Sequence, residues 1–168
     1  LENAKDQNER KVLLAGKVED MINTVIRQIA FYDFECKLHE ARKAGELTPD
    51  DINALWMSVQ GESLGPAFEF MDGYETFWAY IPHFVHSPFY VYAYAFGDGL
   101  VNALYAVYEA APDGFQEKYF DMLKAGGSQH HKDLLAPFGL DASDPTFWQQ
   151  GLSMISSMID ELEAMETP

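Results

Sequence analysis

The spacing of apolar residues in the first quarter of the chain predicts a long helix. Apolar side chains recur there at steps of three and four residues, at Leu14, Val18, Met21, Val25, Ile29 and Tyr32. This period places side chains on one face of an α-helix, where they can pack into a core. Gly45 follows the last turn of the pattern and fits the position just beyond a helix C-terminus.

Small polar residues followed by proline predict where three later helices begin. Proline is favoured at the first position of a helix, and Ser, Thr or Asp before it can cap the free N–H groups. These signals stand at Thr48 with Pro49, at Ser87 with Pro88, and at Ser143 or Asp144 with Pro145. The first two helices are expected to end near Gln60 and Ala111. The last should bury a stripe at Trp148, Leu152, Ile155, Ile159 and Leu162.

The remaining segments complete an all-α pattern. A short helix is predicted in "PDGFQEKYFDMLKAGGS", and another from roughly Gln129 to Phe138, stopped by Gly139. Residues 61–82 are irregular, and loops of this length in compact domains are usually functional. The run "YVYAYAF" alternates as a strand would, but its Ser-Pro start and its continuation into "VNALYAVYEA" favour helix. We therefore predict that residues 1–168 form a single helical domain, a compact all-α unit of several helices.

Charge and cysteine content narrow the range of partners. The formal net charge is −16, which argues against nucleic acid and against an anionic membrane surface, because both need clustered Lys and Arg. No apolar run reaches the length of a membrane span. The single Cys36 excludes an internal disulfide and fits a reducing, cytoplasmic location, where we expect it to be an inert thiol.

The histidines do not form a metal-binding motif. "HEARK" begins like HExxH, but the second histidine is replaced by Lys43. Glu35 and His39 are four residues apart on one helix face, a spacing that some metal sites use, yet a third ligand is lacking. The simpler interpretation is a hydrogen-bonded pair that ties helix to helix, with Arg27 as a neighbour. His130 and His131 are adjacent, so they point to different faces and are expected on the surface.

One stretch combines histidines with tyrosines. It reads "WAYIPHFVHSPFYVYAYAFGDGL" and occupies residues 78–100. On a helix that begins at Pro88, Tyr90 and Tyr94 share a face while Tyr92 lies nearly opposite. Phenol hydroxyls are neutral donors, and an imidazole such as that of His83 adds another. Composition alone leaves two interpretations open, an aromatic core segment or one wall of a site. Gly97 and Gly99 would allow close approach of a neighbouring helix or ligand.

Three blocks of the sequence resemble one enzyme family. They are "RQIAFYDFECKLHE" at 27–40, "IPHFVHSPFYVYAYAFG" at 81–97 and "YFDMLKAGGS" at 119–128. Their order and spacing resemble oligoendopeptidase F, a branch of the thimet-oligopeptidase-like zinc metallopeptidases, over nearly the whole chain. The resemblance implies a zincin-type, mostly helical domain that hydrolyses short peptides in a deep cavity. In this family an HExxH helix and a later Glu hold zinc, and the HExxH Glu activates the zinc-bound water.

The resemblance also assigns roles to individual residues. It implies catalytic roles for His83, Tyr90 and Tyr92, with Tyr92 as the donor to the developing oxyanion. His86 and Tyr94 would bind substrate at the wall of the cavity. No residue of this chain is expected to ligate a metal.

The missing HExxH motif limits what the chain can do by itself. The chain resembles the C-terminal portion of the catalytic domain, so zinc is expected in the parent enzyme and hydrolysis is not expected from this chain alone. The expected partners are short peptide substrates and the remainder of the parent catalytic domain, and apolar faces left exposed would favour self-association. The alternative is a non-catalytic helical module that binds peptides or cations in a tyrosine-rich cleft.

Overall fold

The described part of the chain consists of helices joined by turns. The computed structural model describes residues 4–166, apart from the side chains of Gln150 and Glu166, and no strand occurs within that range. The prediction of an all-α protein is therefore confirmed. None of the described helices combines the length and the apolar character that crossing a membrane requires.

Eight α-helices follow one another along these residues. Their bounds are α1 Gln7–Met21, α2 Arg27–Ala44, α3 Pro49–Leu64, α4 His83–His86, α5 Tyr92–Ala110, α6 Phe115–Ala125, α7 His131–Leu135 and α8 Pro145–Glu166. A π-helical segment, Ile22–Ile26, joins α1 to α2. Short 3₁₀ helices occur at Gly65–Ala67, Tyr74–Tyr80, Gly126–Ser128 and Ala136–Phe138. The predicted irregular region 61–82 is thus partly helical, because α3 runs to Leu64 and a 3₁₀ helix ends at Tyr80.

The π-helical segment shifts the buried face of the first long helical run. Burial follows the predicted stripe as far as Val25 and then moves to Ala30, Phe31 and Phe34. Ile29, by contrast, is 50% exposed. A π turn holds one more residue than an α turn, so every later side chain is displaced around the helix axis. The prediction that Ile29 and Tyr32 continue the core stripe was therefore wrong.

The proline signal at the start of α3 acts as predicted. The hydroxyl of Thr48 accepts a hydrogen bond from the N–H of Asp51 at 3.3 Å, and the Asp51 carboxylate accepts one from the N–H of Thr48 at 2.8 Å. The Asp51 carboxylate accepts hydrogen bonds from both the N–H and the hydroxyl of Thr48, and these two bonds favour its ionised form and lower the pKa of Asp51. The pair forms a reciprocal cap, with Pro49 at the first helical position.

The described residues divide into two compact units. One comprises the residues up to Met21 together with those from Gly97 onward, and the other is Ile22–Phe96. The prediction of a single domain over residues 1–168 is not tested by this division and stays a prediction.

In the unit that contains α6, α7 and α8, small residues allow large side chains to pack. Ala103, Leu135 and Phe147 form its buried cluster. A Cβ on Gly99 would meet the indole of Trp148 at 3.0 Å, so this glycine admits the ring, as the sequence suggested. Arg10 of α1 binds Glu161 of α8 through a 2.6 Å ion pair.

The core of the Ile22–Phe96 unit is aromatic. Trp56 of α3 is fully buried and packs against Phe31 and Phe34 of α2 and against Phe84 of α4. The indole N–H of Trp56 donates to the carbonyl of Tyr74 at 3.0 Å. This cluster fixes α2, α3 and α4 around the segment that follows, which carries the candidate site.

Candidate functional site

A tight turn separates α4 from α5. Ser87 leaves the helical region at φ −145° and ψ 64°, as expected for a residue that precedes proline. Phe89 then adopts φ 63°, the left-handed region, and α5 begins at Tyr92. The prediction that Ser87 and Pro88 start this helix was therefore wrong, because the turn has a conformation that a helix cannot include.

A buried glutamate holds this turn from α2. Glu35 is only 1% exposed, and its Oε1 accepts a hydrogen bond from the backbone N–H of Phe89 at 2.8 Å. Burial raises the pKa of Glu35, while the Phe89 N–H and the charges of His39 and His83 act in the opposite direction. None of the described residues donates to its second oxygen, Oε2, which is also buried. The carboxyl group therefore has one defined partner, and that partner is a main-chain amide.

Two further side chains of α2 pack on the Phe89 ring. Tyr32 contacts it edge-on with ring centroids 6.1 Å apart, and His39 contacts it at 4.7 Å. A hydrogen bond between the Tyr32 hydroxyl and the Cys36 thiol raises the pKa of Tyr32. Phe89 is thus held by its amide and by two ring contacts from α2.

His83, Tyr90 and Tyr94 form one cluster beside the turn. His83 Nε2 and the Tyr94 hydroxyl share a hydrogen bond of 3.0 Å. The Tyr90 ring lies parallel to the His83 ring with centroids 6.1 Å apart and meets the Tyr94 ring edge-on at 5.9 Å. The cluster places an imidazole and two phenols within reach of one bound molecule.

Tyr92 and His86 lie apart from that cluster. The Tyr92 ring packs edge-on against Tyr32, with centroids 6.0 Å apart. His86 ends α4 and is exposed. The structure therefore brings together three of the five residues singled out in the sequence. The catalytic and substrate-binding roles of all five stay predictions.

Burial in this stretch decides between core and surface for its tyrosines. The buried side chains here are Val91, directly before α5, and Ala95 in its first turn. Tyr90, Tyr92 and Tyr94 are 54%, 53% and 40% exposed. A core segment would bury these rings, so the arrangement fits a wall that faces solvent or a ligand.

The described residues do not fit a zinc site. Within residues 4–166 no three His, Cys, Asp or Glu side chains lie close enough together to hold a metal ion. Glu35 accepts a backbone N–H and the His39 ring packs at a tilt against Phe89, so the suggested pair does not act as a chelate. Arg27 lies over the Phe31 ring at 5.3 Å. The interpretation of Glu35 as a tie between elements is close to the structure, but the tie runs to the turn.

The sequence did not indicate that Phe89 matters. Its only signal was indirect, namely a glutamate at position 35 inside an apolar helical pattern, where burial demands a partner. The partner is 54 residues further along the chain, and no local pattern points to it.

Comparison with known proteins identifies the family of this chain. The sequence matches peptidase family M3 over residues 1–154. The chain belongs to peptidase family M3. The resemblance of its three sequence blocks to oligoendopeptidase F is thereby confirmed at the level of the family.

Individual M3 relatives show the same similarity. The chain is 31% identical to the plasmid-borne oligoendopeptidase F of Lactococcus lactis subsp. cremoris and 30% identical to the oligopeptidase PepF of Bacillus subtilis, in each case over 166 residues and 98% of this chain. The crystal structure of oligoendopeptidase-F from Enterococcus faecium superposes with a TM-score of 0.87 at 27% identity over 98% of this chain. The chain spans only 28%, 25% and 32% of these three M3 relatives.

Proposed function

We propose that this chain is one part of a zinc-dependent oligoendopeptidase of family M3, which hydrolyses short peptides. In this proposal the chain supplies the wall of the cleft that binds the peptide and stabilises the transition state. The observation that supports it most is the cluster of His83, Tyr90 and Tyr94, held together in a chain that matches M3 over residues 1–154.

The chemistry follows from the donors that the wall offers. When a peptide carbonyl is attacked, negative charge develops on its oxygen, and neutral hydrogen-bond donors fixed in place stabilise that charge. Tyrosine hydroxyls are such donors, and a histidine beside them can donate as well. We assign the oxyanion donor to Tyr92 and supporting catalytic roles to His83 and Tyr90. His86 and Tyr94 are assigned to substrate binding.

In this proposal the zinc ion is bound by the rest of the enzyme. The sequence lacks the HExxH motif that holds zinc in the family it resembles, so in this proposal residues outside this chain hold the ion. We therefore expect no peptide hydrolysis from this chain alone. The short peptide and the remainder of the catalytic domain are its partners. Half-exposed apolar side chains on α5 and α6, such as Val101 and Leu123, support self-association of the isolated chain. A cytoplasmic location stays a prediction.

The test uses the longer protein that carries this chain with its zinc-binding segment. Tyr92→Phe should lower kcat on a fluorogenic short peptide by roughly 10²–10³-fold, the usual effect of losing one oxyanion donor, with unchanged zinc content. Tyr108→Phe is the matched control, because Tyr108 is also half-exposed but packs on Phe115 in the other unit. Equal turnover by Tyr92→Phe and wild type would remove Tyr92 from this role.

A second candidate function is a non-catalytic module that binds peptides or cations. It is favoured by the net charge of −16 and by the half-exposed tyrosines, which can contact cations through their ring faces. Calorimetric titration of the isolated chain with a short cationic peptide, and with an acidic peptide of equal length, tests it. Saturable binding of the cationic peptide, weakened by His83→Ala, supports this function, whereas no heat with either peptide contradicts it.

A further inference from the structure

The turn at Phe89 has a backbone conformation that needs outside support. Phe89 is the one residue other than glycine with a positive φ among those described, at 63°. Its Cβ makes this region unfavourable, and more so for a bulky side chain. Conformations of this kind persist where the surrounding structure holds them, and they cluster at functional sites.

The support comes from one face of α2. Tyr32, Glu35 and His39 are spaced by three and four residues, so they lie along the same face. Tyr32 and His39 contact the Phe89 ring, and Glu35 accepts the Phe89 N–H. Contacts between rings are satisfied over a range of angles and therefore tolerate small rotations. The hydrogen bond fixes the direction of the peptide group itself.

The orientation of that peptide group governs its neighbours in the chain. Tyr90 follows directly, and its N–H donates to the Ser87 carbonyl at 3.1 Å within the same turn. The Tyr90 ring then lies parallel to His83. A rotation of the Phe89 peptide would move Tyr90 away from His83 and would shift the start of α5.

We propose that Glu35 is a positioning residue for the peptidase reaction, because its buried carboxyl group holds the Phe89 amide and so fixes Tyr90 against His83. This inference rests on the proposed function of the tyrosine wall. Glu35 acts through the turn and touches no reacting atom. The charged or titratable groups that act on it are His39 and Tyr32 from its own helix and His83 from α4. The ionised carboxylate is the stronger acceptor for the amide.

Four variants separate positioning from simple stability. Glu35→Ala removes the acceptor, whereas Glu35→Gln keeps a side-chain carbonyl that can accept the same N–H. Glu40→Gln makes the same chemical change on the exposed face of α2, where the residue pairs with Lys43. Gln60→Met removes a different buried polar group, which accepts the Tyr74 hydroxyl at 3.1 Å, and does not touch the turn.

The first measurement uses the isolated chain and follows the amide of Phe89 by NMR. Glu35→Ala should raise the hydrogen-exchange rate of the Phe89 N–H by at least about tenfold, since a buried donor then lacks its acceptor. Glu35→Gln should restore protection, and Glu40→Gln and Gln60→Met should leave this amide unchanged. Unchanged exchange in Glu35→Ala overturns the proposal.

The second measurement uses the longer zinc-binding protein and a fluorogenic short peptide. Glu35→Ala should lower kcat by about 10²-fold, the effect of a small misplacement of reacting groups, while KM changes less than about threefold. Glu35→Gln should recover most of kcat, and Glu40→Gln and Gln60→Met should stay near the wild-type value. If Gln60→Met lowers kcat as much as Glu35→Ala does, the role is structural and the proposal is overturned.

Failure of the proposed function gives a different pattern. If the tyrosine wall does not serve catalysis, His83→Ala and Tyr90→Phe keep full turnover, although Glu35→Ala still releases the Phe89 amide. That pattern rejects the wall, and with it the catalytic part of the Glu35 proposal. If only the Glu35 proposal is wrong, His83→Ala lowers kcat and Glu35→Ala does not.

Discussion

Replacing Phe89 by glycine and by alanine should reverse the usual order of stability of these two residues. At an ordinary helical position glycine is less stable than alanine by about 1 kcal/mol. Phe89 has φ 63°, where a Cβ clashes and glycine does not. We therefore expect Phe89→Gly to be more stable than Phe89→Ala.

The size of the difference can be worked out from the turn. A residue with a Cβ in the left-handed region costs about 1–2 kcal/mol. The glycine variant avoids that cost, but the larger conformational freedom of its unfolded chain lowers its free energy of unfolding by about 0.4–1 kcal/mol. Both variants lose the ring contacts with Tyr32 and His39, so this loss cancels between them. The net advantage of glycine is about 0.5–1 kcal/mol.

Urea unfolding followed by circular dichroism at the helical band measures this difference. The matched control is Ala54→Gly on the exposed face of α3, where glycine should lower the free energy of unfolding by about 1 kcal/mol. Equal slopes against urea would show that the same structure unfolds in each variant. If Phe89→Ala is as stable as Phe89→Gly, the left-handed conformation at this turn is refuted.

Three further perturbations test the surroundings of the site. Thr48→Ala should lower the free energy of unfolding by about 1 kcal/mol, because the reciprocal cap with Asp51 is lost, and an unchanged urea midpoint would count against that cap. Trp56→Phe should cost about 2–3 kcal/mol in the same assay, since the Tyr74 carbonyl loses its donor and the core loses ring area; a cost under about 1 kcal/mol would contradict the packing. Glu35 holds its proton more tightly in the folded chain than unfolded, because burial raises its pKa above 4.5. The free energy of unfolding of the wild type should therefore fall relative to that of Glu35→Gln as pH rises above that value. Urea unfolding of both proteins at several pH values between about 4 and 7 measures this difference. A difference that does not change with pH would contradict the raised pKa.

Local signals predicted much of the fold. The start of α3 at Pro49, the start of α8 at Pro145 and the end of the 3₁₀ helix before Gly139 follow from a capping residue, a fixed φ or a left-handed glycine. Each depends on residues close together in sequence. Such features can be recognised without knowing what packs against them.

Two features depend on contacts that periodicity cannot show. The π segment Ile22–Ile26 adds one residue to a turn, and the stripe before it gave no sign of the shift to Ala30 and Phe31. The turn at Phe89 depends on Glu35, which is distant in sequence.

The candidate site was predicted by residue type and only partly by arrangement. The sequence singled out His83 and Tyr94, and the Nε2 of His83 lies 3.0 Å from the hydroxyl oxygen of Tyr94. Tyr90 was placed on a helix that begins at Pro88, yet it lies in the turn before α5. Its contact with His83 depends on the backbone of Phe89 and could not be inferred from helical spacing.

The hydrogen bond between Glu35 and Phe89 places unequal demands on sequence variation at its two ends. At position 35 the side chain itself makes the bond, so among the amino acids only those with an acceptor at that reach can replace it. At position 89 the donor is the main chain, which every residue except proline supplies. Relatives could therefore exchange the aromatic ring at position 89 and keep the link, whereas proline at position 89 would remove it without any change in Glu35.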